Sequence, residues 1–277
     1  SSVRVTVGIS GTGGGFKKFC NGDTDISDAS RPIKTTEREA CSAKGIEFIE
    51  LPVAYDALTI VVNKANTWIA GDNISTDDLK KIWDKDAQGK VMKWGDVRSE
   101  WSQGGDIKLY GPGTDSGTFD YFTEAINGKA GQSRSDYTPS EDDNVLVQGV
   151  ARDKGAMGYF GFAYYEENIG KLKALKVNGV EPSKDNVIGG KYQPLSRPLF
   201  IYISKKAADR SEVKEFVSFY LKNGAKLVDQ VQYIPLPGNS YDAVLNRFNR
   251  GEVGTVFAER RTIGVPINDL MQLEGAK

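Results

Sequence analysis

A chain of 277 residues is longer than one hydrophobic core usually serves, so two lobes are expected. Lys and Arg number 36 against 37 Asp and Glu, which leaves no basic field to gather nucleic acid, and no apolar run is long enough to span a bilayer. Histidine is absent, and with it go the commonest general base, the Ser-His and Cys-His nucleophile pairs and most zinc sites, which weighs against a hydrolytic enzyme.

In chain order, "VRVTVGI" from Val3 alternates as a strand does, "SGTGGG" breaks it, and "FKKFCNG" is a short helix ended by Gly22. "TDISDAS" is a second short strand, and "RPIKTTEREACSAKG" a turn leading into a helix closed by Gly45. "IEFIELPVAYDALTIVVN" is a long β-rich run that Pro52 and Asp56 are expected to break. "STDDLKKIWDKDAQGK" then opens with an N-cap and an acidic first turn, the Trp-rich "VMKWGDVRSEWSQGG" follows, and "DIKLY" is a strand. "SEDDNVLVQGVARDKG" reads as a helix capped by Ser140, its acids serving the helix dipole rather than a metal. After the aromatic "AMGYFGFAYY" come the strand and turn "LKALKVNG" and the strand "RPLFIYISK". The helix in "SEVKEFVSFYLKNGAKLVDQ" carries Val213, Phe216, Val217, Tyr220 and Leu221 as its core stripe, and "YDAVLNRFNRGEVGTVF" is one more helix. Strand alternating with helix marks an α/β protein. The lobes are expected at 1–58 with 200–277 and at 59–199, joined by bare strands.

The only cysteines are Cys20 and Cys41. An isolated pair suits one disulfide in an oxidising compartment, two buried thiols being the plain alternative, and two cysteines alone build no metal site.

One arrangement occurs twice, in "VRVTVGISGTGGGFKKF" and in "IKLYGPGTDSGTFDYF": a strand, then glycines with Ser or Thr, then a helix opening on Phe. Such a composition suits an anion, because a helix start leaves N–H groups and a partial positive charge, glycine lets backbone approach, and hydroxyls add donors. Gly111, Gly113 and Gly117 do not make the dinucleotide GxGxxG, and no P-loop lysine follows. A nucleophile elbow would need glycine where Thr114 and Thr118 stand, and a histidine to activate Ser116. An anion clamp and a plain capped turn remain. Arg31 in "SDASRPI" and Arg134 in "GQSRSDY" could each offer a planar fork to an oxyanion or be ordinary surface arginines. Asp56, inside "PVAYDALTIVVN", is a costly carboxylate unless it has a partner.

With these segments together, namely "GISGTGGGFKKFCNGDTDISDASRPI", "LPVAYDALTIVVN", "YGPGTDSGTFDYFTEAI", "SEDDNVLVQGVA" and "GYFGFAYYEEN", the chain resembles the periplasmic phosphate-binding proteins of phosphate ABC importers, the PstS/SphX family. The resemblance implies a two-lobe class II periplasmic-binding-protein fold of α/β type, with two crossing strands and phosphate in a central cleft. Carried over by position, it implies phosphate contacts from Thr12, Ser30 and Arg31 in lobe one and from Ser116, Gly117 and Thr118 in lobe two. Many relatives have an arginine where this chain has Pro112 and an aspartate where it has Arg31, so the charge is redistributed and Arg134 is the candidate second cation.

Phosphate keeps a proton that sulfate lacks, so a buried carboxylate would reward the one and repel the other. Asp56 is the first choice for that acceptor, with Asp115 or Asp136 as alternatives. The resemblance further implies a monomeric, non-enzymatic receptor in the periplasm, lipid-anchored in its precursor or free. Its partners would be inorganic phosphate and the importer's membrane permease subunits, with no cofactor and no nucleic acid. It also implies a strand and helix on a "DGSST"-like loop ahead of "SSVRV". Another tetrahedral oxyanion is the alternative ligand, and a phosphatase the alternative from a different class.

Overall fold

The computed structural model describes residues 3–8, 10–114, 116–231 and 233–256. It divides into two compact units, one formed by the described residues of Ser1–Asp56 and Arg197–Lys277, the other by Ala57–Ser196. The chain therefore passes between units at two points, after Asp56 and after Ser196.

The first unit begins with helix α1 (Thr12–Cys20), strand β1 (Ile26–Ala29) and helix α2 (Thr35–Ala43). Gly22 and Gly45 follow the two helices with φ of 82° and 67°, left-handed values that stop a helix without strain only in glycine. Helix α1 buries Phe16, Phe19 and Cys20 on one face, and Cys20 is disulfide-bonded to Cys41 of α2. Strand β2 (Phe48–Asn63) is 16 residues long and buried at every position, so it lacks the alternation of a half-exposed strand.

In the second unit come β3 (Asn73–Ile74), α3 (Thr76–Trp83), α4 (Trp94–Val97), β4 (Lys108–Gly111) and α5 (Gly117–Asn127). They are followed by β5 (Thr138–Pro139), α6 (Asp143–Arg152), β6 (Ala156–Gly161), α7 (Phe162–Glu167), β7 (Leu172–Ala174), β8 (Lys176–Val177) and α8 (Lys184–Ile188). The later part of β2 pairs antiparallel with β6 and β7, while β4 runs parallel to both β6 and β5. Helix α6 lays Leu146, Val147 and Val150 on Val61, Phe160 and Leu172 of this sheet, a core cluster buried to within a few per cent.

The return to the first unit is β9 (Ser196–Ser204), then α9 (Lys205–Ala208), α10 (Ser211–Lys222), α11 (Gly224–Gln230), β10 (Ile234–Pro235) and α12 (Ser240–Arg250). Strand β9 pairs antiparallel with β1, and β10 with the early part of β2.

Several sequence expectations need correction. Residues 3–8 form no strand, and Val3, Val5 and Val7 are 58%, 70% and 80% exposed: alternation supplies a face but not the neighbour that a strand must bond. Ile9 lies outside the described residues. Pro52 and Asp56 do not break β2, since the extended backbone tolerates both. The cap of α6 is Asp142, whose side chain accepts from Asn144 N, and Ser140 instead accepts from the amide of Asp142. On α10 the buried stripe is Val213, Val217 and Leu221, with Phe216 46% exposed. Helix α12 ends at Gly251, whose φ is 64°, short of the expected "EVGTVF" extension.

Asp56 has its partner. Arg197 Nε and Nη2 reach Asp56 Oδ2 at 2.9 and 2.7 Å, with both side chains 7% exposed. Asp56→Asn strands a buried guanidinium and is expected to cost about 3 to 5 kcal/mol, whereas the double substitution Asp56→Leu with Arg197→Met should lie near the parent stability. Chemical denaturation of the three proteins checks this, and equal losses in single and double variants would contradict it.

Candidate functional site

In the first unit Thr12, Ser30 and Arg31 come together at the start of α1. Thr12 Oγ1 lies 3.1 Å from Ser30 Oγ and accepts from Ser30 N at 3.1 Å. The cap position of α1, Gly11, has no side-chain hydrogen bond to the first turn, and that turn holds no acid, so its positive end is not answered locally. One flank is tight, since a Cβ on Gly15 would come within 2.9 Å of Ser27 Oγ and the serine would have to turn away. A Cβ on Gly13 would sit 3.8 Å from Arg31 Nη2, which places the guanidinium beside the helix start.

Arg31 is held from two sides. Its Nη1 and Nη2 donate to the two carboxylate oxygens of Glu37 at 2.8 Å each, and Nη1 also donates to Pro32 O at 3.1 Å. Its guanidinium lies 5.6 Å from the centroid of the Phe16 ring. Among the described residues no hydrogen bond engages its Nε–H or its second Nη2–H. These two donors share one edge of the guanidinium, the geometry that takes an oxyanion bidentately. Glu37 is a residue that sequence reasoning missed. Its other contact, accepting Lys34 N at 2.8 Å, gives α2 a capping bond from its third position, a spacing that could have been read.

In the second unit Ser116, Gly117 and Thr118 meet at the start of α5. Ser116 is the N-cap: its Oγ accepts from Thr118 N at 3.1 Å, and its amide donates to Gly113 O at 3.1 Å. Part of the donor set that the glycine-hydroxyl pattern advertises therefore serves the helix itself. The approach to this loop is fixed from beneath. Tyr137 Oη donates to Pro112 O at 2.9 Å, and a Cβ on Gly111 would come within 3.0 Å of the Tyr159 ring, which stacks at 3.8 Å on Phe122 of α5.

Arg134 belongs to the second unit and is committed there. Its side chain is 2% exposed, Nε and Nη2 donate to the two oxygens of Asp136 at 2.5 and 2.8 Å, and Nη1 donates to Ile82 O and Val91 O at 3.0 and 2.9 Å. With those donors engaged it ties the "SRSD" loop to α3, which corrects the expectation of a second ligand cation. Asp136, one alternative acceptor, is occupied by the same pair, and Asp115 lies outside the described residues. Asp56 offers Oδ1, which has no hydrogen-bond partner among the described residues while Arg197 takes Oδ2. Arg197 was also missed, for its partner stands far away in the chain.

Among the described residues no cluster of three or more Cys, Asp or Glu is placed to hold a metal, and no helix is long and apolar enough to cross a membrane.

The hydrogen bonds from Arg134, against some opposing burial, hold the Asp136 carboxyl below its ordinary pKa. A depressed carboxyl contributes stability that is complete above about pH 4 and is lost as pH falls through the folded value. Acid denaturation should therefore carry a component that Asp136→Asn removes, leaving a shallower fall in stability below about pH 4. An unchanged acid limb in that variant would contradict the role of the pair.

The chain matches the PBP superfamily domain over residues 1–223. It is 54% identical over 279 residues to Protein SphX of Synechococcus elongatus, covering 99% of this chain and 81% of that protein. Against the phosphate-binding protein PstS of Staphylococcus saprophyticus it is 40% identical over 245 residues, 86% of this chain and 73% of that one. A crystal structure from Planctomyces limnophilus, described as a possible phosphate binding protein, aligns with a TM-score of 0.74 at 48% identity, over 87% of this chain and 86% of that chain. The mixed α/β fold, the paired glycine-hydroxyl loops and these relatives agree, and the chain belongs to the PstS/SphX family of the PBP superfamily.

Proposed function

We propose that this chain binds inorganic phosphate and delivers it to the permease subunits of an ABC-type importer, acting outside the cytoplasmic membrane without turning its ligand over. The observation that carries the reading is the cluster of Thr12, Ser30 and Arg31 at the uncapped start of α1, with one bidentate edge of Arg31 unused among the described residues. The start of α5, with Ser116, Gly117 and Thr118, is a separate group of donors within its own unit. The PstS relative is named a phosphate-binding protein, and the Cys20–Cys41 disulfide fits the oxidising periplasm. The protein works as a monomer.

Hydroxyls, helix-start amides and one guanidinium spread the charge of a tetrahedral anion over several hydrogen bonds without a metal. Selectivity falls to an acceptor. Phosphate can donate its retained proton to Asp56 Oδ1, whereas sulfate would set an oxygen lone pair against the carboxylate.

Calorimetric titration with phosphate and with sulfate tests the reading. Phosphate should bind one per chain and sulfate should be weaker by on the order of 10⁴-fold, the discrimination expected where a buried polar group is left unpaired. Arg31→Ala should weaken phosphate by roughly tenfold to a hundredfold, the worth of charge-assisted hydrogen bonds. Equal binding of the two anions would point to a general oxyanion receptor, absence of binding would sink the reading, and hydrolysis of phosphate esters would overturn the non-enzymatic part.

A further inference from the structure

Glu50 is a carboxylate with no exposure to solvent, on the wholly buried β2. Its Oε2 accepts from Tyr202 Oη at 2.5 Å, and its Oε1 accepts from Thr255 Oγ1 at 2.9 Å and Val256 N at 3.2 Å. Tyr202, fully buried on β9, spends its hydroxyl proton on Glu50, so its oxygen presents lone pairs elsewhere, and Ile33 N donates to it at 2.9 Å. Ile33 closes the "SRPI" turn that carries Ser30 and Arg31. The same ring packs edge-on against Phe16 of α1, centroids 4.8 Å apart, and against Phe48 at 5.6 Å. One side chain thus holds the two pieces of backbone whose separation sets the 3.1 Å contact between Thr12 and Ser30.

We propose that Tyr202, with its hydroxyl oriented by Glu50, is a positioning residue that fixes the "SRPI" turn against the start of α1 and so sets the affinity of the first unit's oxyanion donors. The inference rests on the reading of Thr12, Ser30 and Arg31 as ligand groups. Because Oε1 is already held by Thr255 Oγ1 and Val256 N, Oε2 faces Tyr202 as an acceptor, which gives the phenol a single hydrogen direction and keeps a lone pair on Ile33. A buried tyrosine that merely stabilised the unit would have no such link to the donors. Tyr241 is that case, donating to Val53 O at 2.8 Å and accepting from Leu236 N at 3.3 Å, with no hydrogen bond to residues 30–33 among the described residues.

The full chain, Tyr202→Phe, Glu50→Gln and Tyr241→Phe are compared by calorimetry with inorganic phosphate, by thermal denaturation and by hydrogen exchange at the Ile33 amide. Tyr202→Phe keeps the ring and is expected to weaken phosphate about tenfold, the upper range for one lost hydrogen bond, with faster exchange at Ile33. Glu50→Gln, which can donate where the carboxylate only accepted, should shift affinity and exchange in the same direction even if Tyr202→Phe folds poorly. Tyr241→Phe should lower the melting temperature comparably while leaving the Kd within about twofold. Parent-like affinity in both Tyr202→Phe and Glu50→Gln overturns the inference, as does an equal loss of affinity in Tyr241→Phe. A parent chain that binds no phosphate overturns instead the reading of the site on which the inference stands.

Discussion

A helix begins with amides that have no carbonyl partner, and at the start of α1 neither the cap residue Gly11 nor an acid in the first turn supplies one. That deficit is the constraint around which the first unit is arranged. Glycine at position 15 lets the helix start lie against Ser27, Thr12 and Ser30 meet at hydrogen-bond distance, and Arg31 is brought alongside Gly13. The rest of the unit holds this arrangement still. A disulfide joins α1 to α2, Glu37 of α2 clamps Arg31, and Tyr202 reaches from β9 to the turn between them. The start of α5 is built differently, since Ser116 caps it and Tyr137 pins the loop before it, so the two similar loops are not equivalent in how much of their hydrogen bonding serves the fold.

Three arginines show how the same side chain is put to different ends. Arg134 donates to both oxygens of Asp136 and to two backbone carbonyls, which makes it a bracket for its own loop. Arg197 is spent on Asp56 in a buried pair flanking the points where the chain leaves and re-enters the first unit. Arg31 is clamped on one edge and retains the other. What separates a ligand cation from a structural one is the number and direction of N–H groups already committed, and charge or position in a polar loop says little about it.

Legibility followed the range of the interaction. The two glycine-hydroxyl loops, the helices closed by Gly22 and Gly45, and the meeting of Thr12 with Ser30 near Arg31 lie within short stretches whose composition states the local need. The partner of Asp56 could be sensed only as a debt, because Arg197 is 141 positions away in sequence; a second lone charge in the apolar "SRPLFIYIS" was the available signal. Arg134 was misread because a polar loop looks the same in sequence whether its arginine faces a ligand or bends back onto α3. The valines of residues 3–8 alternate as a strand requires, yet a strand is made by its neighbour, and periodicity carries no information about that. Glu50, like Asp56, was a lone charge in an apolar run, but its partner Tyr202 is 152 positions away and left no signal of its own.

The most direct measurement of the central claim is a phosphate titration followed by amide resonances on the isotopically labelled full chain. The account predicts that the amides of Gly13 and Gly14 at the start of α1 shift most and saturate at one phosphate per chain. Shifts confined to other parts of the chain would contradict it.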